Sequence, residues 1–491
     1  MVRSRRRQFL TTVAAGGAVA TAGCSIPLLG DGGSNDGQQG AGDWTQLRGT
    51  AGMTGQSSAG GPGPDATQQF TAEFRNGINV ATSAPLIGAD GIYGVGNVAE
   101  SYDTEPPTFG GYVFKYSRED GSEVWRREIA IREGQENLSF FTESPRACLG
   151  PSGLYVCWLE VEDLESGGNR YLLHVERRSR EDGTVQWSRT LEGVAVLSQQ
   201  PVVHGDTLFV LARGTLRAFA TADGSDRWTS ERFRYDQRAP SVGQDVVAVY
   251  NQGFSEGDED VTMQLTAFDR SDGSERWSIP TPNTRGAAKM PSVADGTIFV
   301  ADGYGFPSFG AGRETFPARS VRALDASDGS EQWSYTYVEA SEDPTMAGGA
   351  TSVAVDGDTV YAGLFYPTAS FLLGQDASSA DRERIEDSIY TGRNLLALNR
   401  DDGSLKWDAQ VGTYAQVFPY LVVDDTHLYV MYFDPEAEEE SAQTQWYVVE
   451  KDDGAIRGSF GTDTEIDQGR AFGVADGTLF EHTGGGVRVW Q

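Results

Sequence analysis

The side chains with the strongest chemical character in this sequence are carboxylates that recur in one short pattern. SDGSERW at 271–277 returns with small changes at 119–125, 181–187, 222–228, 327–333 and 401–407, and in a degenerate copy at 452–458. Acidic turns can bind Ca²⁺, but an EF-hand loop needs acids at alternate positions and a later Glu, and that spacing does not occur. We therefore interpret these segments as solvated turns.

Cysteine and histidine add little further chemistry. Cys148 and Cys157 flank LGPSGLYV, and a two-residue turn at 152–153 would place them directly opposite each other on a hairpin. In an oxidising compartment they could form a disulfide, and two buried free thiols are the equal alternative. The four histidines lack the spacing of metal ligands: His174, His204, His427 and His482. No metal site is predicted.

The N-terminus predicts export. Arg6, Arg7, Phe9 and Leu10 lie in a basic start followed by a short run of small apolar residues, and they resemble the twin-arginine export signal. A plain membrane anchor is disfavoured because the apolar run at 13–23 is too short to span a bilayer. Residues 1–23 are therefore predicted to be a signal peptide.

The residues that follow predict a lipid anchor and a tether. TAGC at 21–24 resembles a lipobox, in which Cys24 becomes the lipidated first residue of the mature protein. Residues 24–43 are Gly-rich and polar, which is typical of a flexible linker. We expect an exported protein that is held by membrane lipid on the outer face of the cytoplasmic membrane, with residues 44–491 forming the folded domain.

The charge balance is strongly acidic. Asp and Glu number 71 against 39 Lys and Arg, which gives a net charge of −32. Only four residues are lysines: Lys115, Lys289, Lys406 and Lys451. Acid spread over the whole chain resembles proteins of extreme halophiles, because molar salt screens charge repulsion to within about 3 Å. A nucleic-acid partner is not expected, since a basic surface is missing.

The acidic turns belong to a larger repeating unit. Each follows an alternating strand, and Asp-Gly favours the tight reversal of a β-hairpin. A second hairpin pattern recurs eight times between these units, for example QPVVHGDTLFVL at 200–211 and MPSVADGTIFVA at 290–301. Four antiparallel strands in roughly 50 residues predict an all-β fold, an eight-bladed β-propeller.

The count of hairpins predicts how the ring closes. Eight first hairpins but only seven Asp-Gly units occur, so the eighth blade lacks its outermost strand. Residues 67–74, TQQFTAEF, precede the first complete blade and are predicted to supply that strand. Trp44 is expected to pack just outside the ring.

The letters of the repeat resemble a known family. Ala267, Asp269, Gly273 and Trp277 follow Ala-x-Asp-x-x-x-Gly-x-x-x-Trp, which resembles the pyrroloquinoline quinone (PQQ) repeat of eight-bladed quinoprotein-like propellers. The resemblance spans roughly residues 66–491, with Asp-Gly in place of the family's Thr-Gly, and implies that the tryptophans pack between blades. The motif residues are Trp125, Trp187, Trp228, Trp277, Trp333 and Trp407, with Gly121, Gly183, Gly224, Gly273, Gly329 and Gly403.

The resemblance implies two alternative functions. The family's alcohol and sugar dehydrogenases hold PQQ and Ca²⁺ in the central funnel, with an Asp as general base and often a disulfide of adjacent cysteines on the cofactor. This chain has no adjacent cysteines and no acid matched to that Asp, so a non-catalytic protein without cofactor is favoured. It also resembles the lipid-anchored eight-bladed scaffold of the bacterial outer-membrane-protein assembly machine, which implies a protein or surface ligand as partner.

Insertions interrupt the repeat between the second and third strands of a blade, at 97–110, 252–260, 302–318, 364–392 and 433–445. Alternating strand directions place all these loops on one face. Aromatic residues and Arg are enriched in interface cores, so we predict partner-binding residues in two of the loops: Tyr304, Phe306, Phe309, Arg313, Phe316, Tyr366, Phe371 and Tyr390. The alternative is that these aromatics pack onto the rim.

Asn137 begins a glycosylation sequon.

Overall fold

A computed structural model of the chain describes residues 45, 48–50, 53–57, 59–73, 85–101, 108–133, 145–163, 169–192, 200–212, 214–230, 239–252, 263–281, 290–302, 318–338, 349–365, 393–412, 417–433, 444–462, 472–483 and 486–491. These residues form 32 β-strands in eight four-stranded antiparallel sheets. We call the sheets blades 1 to 8, in the order of their first strands along the chain. The predicted eight-bladed propeller is confirmed.

The strands of the first four blades follow the order of the sequence. Blade 1 contains β2 (Leu86–Gly88), β3 (Gly91–Ser101), β4 (Thr108–Tyr116) and β5 (Glu123–Glu133). Blade 2 contains β6 (Arg146–Gly150), β7 (Gly153–Asp163), β8 (Asn169–Arg178) and β9 (Val185–Glu192). Blade 3 contains β10 (Val202–His204), β11 (Thr207–Ala212), β12 (Thr215–Ala220) and β13 (Asp226–Thr229). Blade 4 contains β14 (Ser241–Val242), β15 (Val246–Gln252), β16 (Met263–Asp269) and β17 (Glu275–Pro280).

The remaining blades repeat this order until the last one. Blade 5 contains β18 (Ser292–Ala294), β19 (Thr297–Ala301), β20 (Arg319–Asp325) and β21 (Glu331–Val338). Blade 6 contains β22 (Gly349–Asp356), β23 (Thr359–Phe365), β24 (Leu395–Asn399) and β25 (Leu405–Ala409). Blade 7 contains β26 (Val417–Val423), β27 (His427–Phe433), β28 (Thr444–Glu450) and β29 (Ile456–Thr462). Blade 8 contains β30 (Phe472–Ala475), β31 (Thr478–Thr483), β32 (Gly486–Trp490) and β1 (Gln68–Glu73).

Blade 8 joins the two ends of the folded chain. Strand β1 pairs antiparallel with β32, for example Thr71 with Arg488. Thr67 and Gln491 bond each other through both main-chain groups, at 2.8 and 3.1 Å. The prediction that residues ahead of the first blade supply the missing strand is therefore confirmed.

The first strand of each blade lies innermost and the Asp-Gly hairpin outermost, which defines two faces of the ring. The turns of both hairpins lie on one face, here called the turn face. The second strands end and the third strands begin at the opposite face, here called the loop face. Residues 97–101 and 108–110, expected to be part of a loop, instead extend β3 and β4 as paired strands.

Each motif tryptophan lies against the Asp-Gly turn of the following blade. At the junction of blades 4 and 5, a Cβ on Gly329 would lie 2.8 Å from the Trp277 ring, and φ at this glycine is +74°. Trp277 Nε1 donates to Ala326 O at 3.1 Å, three residues before that glycine. The other five motif tryptophans repeat both contacts, with N···O distances of 2.7–3.2 Å. Packing and one hydrogen bond thus join six pairs of blades.

Five junctions add a polar contact that runs the other way. The residue three before the Asp-Gly glycine is basic and reaches back to the first-hairpin turn of the preceding blade. The pairs are Arg118–Asp476, Arg180–Asp90, Arg270–His204, Arg400–Asp295 and Lys451–Asp356. Burial favours the neutral carboxyl of Asp90, but hydrogen bonds from Tyr93, Arg180 and Lys115 outweigh it and lower its pKa to about 2.

The cysteine hairpin in blade 2 has a different register from the one expected. Gly150 pairs with Gly153, so the turn lies at 151–152 and Cys148 stands opposite Tyr155, not Cys157. The prediction that the cysteines face each other directly is wrong by two residues. Diagonal neighbours in a sheet are about 7–8 Å apart at Cα, too far for an unstrained disulfide. Both cysteines are free and buried, and burial raises the pKa of each thiol.

Candidate functional site

The centre of the ring is crossed by the residues that precede β1. We call the described residues 45, 48–50 and 53–57 the crossing segment. Leu149 N, on the inner strand of blade 2, donates to Thr45 O at 2.8 Å, and Val355 N, in blade 6, donates to Thr54 O at 2.8 Å. Blades 2 and 6 are four positions apart in a ring of eight, so the segment spans the ring from side to side.

The second half of the crossing segment continues around the inner strands. Val423 N in blade 7 donates to Gly55 O at 2.9 Å, and Ser57 N donates to Val423 O at 2.8 Å. Gln56 forms a parallel β-bridge with Val423. Ser57 Oγ lies 2.8 Å from Val474 O in blade 8. All these inner-strand residues lie shortly before a first-hairpin turn, so the segment occupies the turn-face end of the centre.

Two long side chains fix the crossing segment. Arg48 is 1 % exposed, and its guanidinium donates to Ser292 Oγ at 3.2 Å and to Val353 O at 2.5 Å. Met53 is fully buried in a cluster with Val202 and Val242 on the inner strands of blades 3 and 4. Arg48 therefore binds the segment to blades 5 and 6, while Met53 packs against blades 3 and 4.

Gly55 marks the tightest point of the crossing. Its φ is +69°, and a Cβ there would lie 2.7 Å from Leu421 O and 3.3 Å from Ala354 Cβ. A side chain at this position would meet the main chain of blade 7, which cannot move without disturbing the sheet. The segment fits because the residue is glycine.

A polar network holds the segment at the turn face. Gln56 Nε2 donates to Asp356 Oδ1 at 2.7 Å, and Lys451 Nζ lies 2.6 Å from Asp356 Oδ2. Asp356 is on the first hairpin of blade 6 and Lys451 on the last hairpin of blade 7. The basic contact between these blades is thus shared with the segment.

Beyond Ser57 the chain runs outward along the junction of blades 7 and 8. Gly477 N donates to Gly60 O at 2.5 Å, and Gly61 N donates to the buried carboxylate of Asp424 at 2.6 Å. Tyr429 Oη donates to the same carboxylate at 2.9 Å, and burial raises the pKa of Tyr429, as does the charge of Asp424. The chain then turns into β1 at the rim.

The degenerate repeat at 452–458 lies at this junction. Gly458 stands where the other blades have tryptophan, and a Cβ there would lie 2.7 Å from Pro64 Cβ. Pro64 therefore takes the place of a tryptophan ring. Gly61 takes the place of the basic side chain, since it contacts the first-hairpin turn of blade 7 at Asp424. We call the stretch from Gly60 to Pro64 the seam segment.

The predicted interface residues of the loop face lie outside the described residues. This applies to Tyr304, Phe306, Phe309, Arg313, Phe316, Tyr366, Phe371 and Tyr390, and also to Asn137, Trp44, Cys24 and the export residues. The bases of the two loops are described. Arg322 pairs with buried Asp302 at 2.9 Å, and Arg393 pairs with Asp408.

The base of the loop at 302–318 is a buried polar group. Burial raises the pKa of the Asp302 carboxyl, although the Arg322 guanidinium acts to lower it. Tyr337 Oη donates to Asp302 O at 2.5 Å. Within the part of the chain that the structure describes, no three acidic, histidine or cysteine side chains come together as metal ligands. Nor does any described helix have the length and hydropathy to cross a membrane.

The sequence interpretation did not identify the crossing and seam segments. Two signals pointed to them: the tryptophan missing at Gly458, and a basic residue three positions before most Asp-Gly glycines, which includes Lys451, one of only four lysines. Contacts of Arg48, Gln56 and Ser57 across the ring depend on closure of the whole fold. No local pattern encodes them.

The family of the chain follows from its repeat region. A family model described as outer membrane protein assembly factor BamB (PQQ_2) matches residues 173–262 and 212–433. Together these ranges cover more than half of the 491 residues. The chain belongs to this family. Its membership of the BamB family agrees with the resemblance drawn from the Asp-Gly and tryptophan motif.

Comparison with solved structures finds chains similar to this member of the BamB family. BamB from Moraxella catarrhalis is 15 % identical with a TM-score of 0.44, over 87 % of this chain and 97 % of that one. The computationally designed Ika8 protein is 10 % identical with a TM-score of 0.52, over 86 % and 99 %. Quinohemoprotein alcohol dehydrogenase ADHIIG from Pseudomonas putida HK5 is 10 % identical with a TM-score of 0.52, over 91 % and 80 %. No curated protein matches the chain.

Proposed function

We propose that this protein is a non-catalytic binding or scaffold protein, exported and held to membrane lipid through Cys24, that presents its loop face to a protein or surface ligand. The observation that carries the proposal is the crossing segment. At the turn-face end of the ring, the inner strands bind this chain's own residues. This occupied turn-face end supports a disc that acts through its surface.

The alternative, a PQQ-dependent dehydrogenase, requires room for PQQ and Ca²⁺ at the centre. The described residues do not fit such a group at the turn-face end. Val355 and Val423 already pair with the segment, and Gly55 packs too closely for even a methyl group. Cys148 and Cys157 are separated in sequence and are not the adjacent pair that stacks on the cofactor in those enzymes. We derive no catalytic step.

Family membership supports action through protein contact, since the family is described as an assembly factor. Export and lipidation are supported by the sequence alone: Arg6 and Arg7 for the export signal and Cys24 for the lipid. The outer face of the cytoplasmic membrane as the location, and a protein or surface ligand as the partner, are parts of the same proposal. The loops at 302–318 and 364–392 are the proposed contact region because they combine aromatic residues with Arg.

A binding assay tests the non-catalytic role. The full-length protein in high salt is titrated with PQQ and Ca²⁺, and dye-linked oxidation of alcohols and sugars is followed. We expect neither tight binding nor turnover. Tight PQQ binding together with substrate oxidation would contradict the proposal and favour the dehydrogenase.

Capture from membranes tests the loop face. The full-length protein is compared with variants in which 303–317 or 366–392 is replaced by a short Gly-Ser linker. The control replaces 434–443, a loop on the same face without arginine. We expect the first two variants to lose partners that the control retains. Identical partners in all four samples would remove the loop face from the proposal.

A further inference from the structure

The ring closes without the crossing segment. Strand β1 pairs with β32 along its own length, and six junctions rely on tryptophans that belong to the blades themselves. The crossing segment adds no strand to any blade. It lies on the inner surface of a ring that is already complete, as a ligand would.

The ring recognises this segment mainly through main-chain groups. Thr54 and Gly55 accept hydrogen bonds from Val355 and Val423, and Ser57 donates back to Val423. Proteins that bind extended peptides by strand addition use the same kind of contact, in which main-chain hydrogen bonds give affinity and small pockets give specificity. The parallel bridge at Gln56 has this form.

Side-chain selection is strict at two positions. The site at residue 55 admits only glycine, because of both its φ of +69° and the approach of Leu421 O. The site at residue 56 offers the Asp356 carboxylate to an amide donor at 2.7 Å. An ordinary surface loop would not need a tightly packed glycine next to a partly buried amide that bonds a carboxylate.

We infer that the inner strands of blades 6, 7 and 8 form a peptide-binding site at the turn face, specific for a segment with the pattern Thr-Gly-Gln-Ser whose glycine has a positive φ. In this chain the site is filled by its own residues 54–57. The ligand class is a peptide of small polar residues, bound through its main chain. This inference concerns the turn face and is independent of the loop-face proposal.

The test vacates the site in the full-length protein and offers the segment again as a separate molecule. Gly55→Val removes the fit at the tightest point. Gly63→Val is the matched control, because no atom lies within 4 Å of a Cβ there and its φ is ordinary. The probe is a fluorescent synthetic peptide with the wild-type sequence 45–66, and binding is followed by anisotropy.

We expect the peptide to bind the Gly55→Val protein at least about tenfold more tightly than the wild type or Gly63→Val, because a segment in the same chain competes at an effective concentration near millimolar. A peptide carrying Gly55→Val should bind none of the three proteins. Equal binding to all three proteins, or to none, would overturn the inference. A dimer formed by exchange of segments between two copies would overturn the assignment of the ligand to the same chain.

Hydrogen exchange supplies a second measurement should Gly55→Val fold poorly. In Gln56→Ala the amides of Val355 and Val423 should exchange about tenfold faster or more, as expected when a local contact opens more often. Amides of β4 and β5 in blade 1, which share no described contact with the segment, should be unchanged. Unchanged exchange at Val355 and Val423 in Gln56→Ala would also overturn the inference.

Discussion

Two junctions of the ring join neighbouring blades in the same way, by packing and a hydrogen bond, but use different parts of the chain. Between blades 4 and 5, Trp277 packs on Gly329 and donates to Ala326 O at 3.1 Å. Between blades 7 and 8, Gly458 leaves room for Pro64, and Gly61 bonds Asp424. The first junction is built from the repeat, and the second is completed by a segment from the opposite end of the sequence.

The comparison shows what the degenerate repeat at 452–458 means. From an alignment of the repeats alone, the absence of tryptophan at position 458 would be interpreted as loss of the motif. In the fold, glycine at 458 is required, because any side chain there would overlap the seam segment. Departure from the repeat marks the place where another part of the chain must fit.

The largest expected effect comes from removing everything that the N-terminal residues add to blades 7 and 8. A chain that begins at residue 75 lacks the crossing segment, the seam segment and β1. We expect a loss comparable to the whole stability of a domain, about 5–15 kcal/mol, and therefore no cooperative unfolding transition. Thermal circular dichroism measures it. A chain that begins at residue 44 is the control and should unfold like the full-length protein.

Substitutions at the junction of blades 4 and 5 should destabilise the protein less than this truncation. Trp277→Ala should reduce the free energy of unfolding by about 3–5 kcal/mol, since it removes a large buried ring. Trp277→Phe keeps most of the packing and loses the hydrogen bond to Ala326 O, at a cost of about 1 kcal/mol for that bond. Denaturant unfolding separates the two. Equal losses in both variants would show that the hydrogen bond, and not packing, dominates the junction.

Placing the repeat's tryptophan at the seam should destabilise the protein. Gly458→Trp overlaps Pro64, and overpacking of this kind typically costs about 1–3 kcal/mol. The same substitution in a chain lacking residues 45–66 should be neutral or stabilising, because the space is then open. If Gly458→Trp stabilises the full-length protein, the seam segment does not occupy this position in solution.

The last prediction concerns Arg270–His204, the one of the five polar junction contacts that uses histidine. Burial, and then the charge of Arg270, lower the pKa of His204 to about 4. The unfolded chain takes up this proton near pH 6.5, so the contribution of His204 to stability should fall as the pH drops from about 6.5 to about 4 and should not change further below that.

His204→Asp changes this contact into the acid–base pair found at the other four junctions. It should remove the part of the pH dependence that His204 contributes and add about 0.2–1 kcal/mol near pH 7, the usual value of a partly exposed ion pair. Urea unfolding at several pH values measures both effects. An unchanged slope between pH 4 and 6.5 would show that His204 does not titrate as described.

The sequence predicted the blades because their information is local and repeated. Asp-Gly fixes a turn, the spacing to Trp277 fixes the outer hairpin, and counting hairpins located the role of β1. The register at Cys148 was missed because a shift of the turn by one residue moves the facing partner by two. The crossing of Arg48 to Ser292 was missed because it depends on residues 244 positions apart and on a ring that exists only after folding.

Entry of the chain at the axis also has a mechanical consequence. A pull on the residues ahead of Thr45 reaches the disc at its centre, where contacts to blades 2, 5, 6, 7 and 8 share the load. Strand β1 lies further along the chain at the rim, so it is shielded from being peeled away. If the residues ahead of Thr45 tether the molecule as proposed, the molecule can be pulled or tilted without separating β1 from β32, where the two ends of the ring meet.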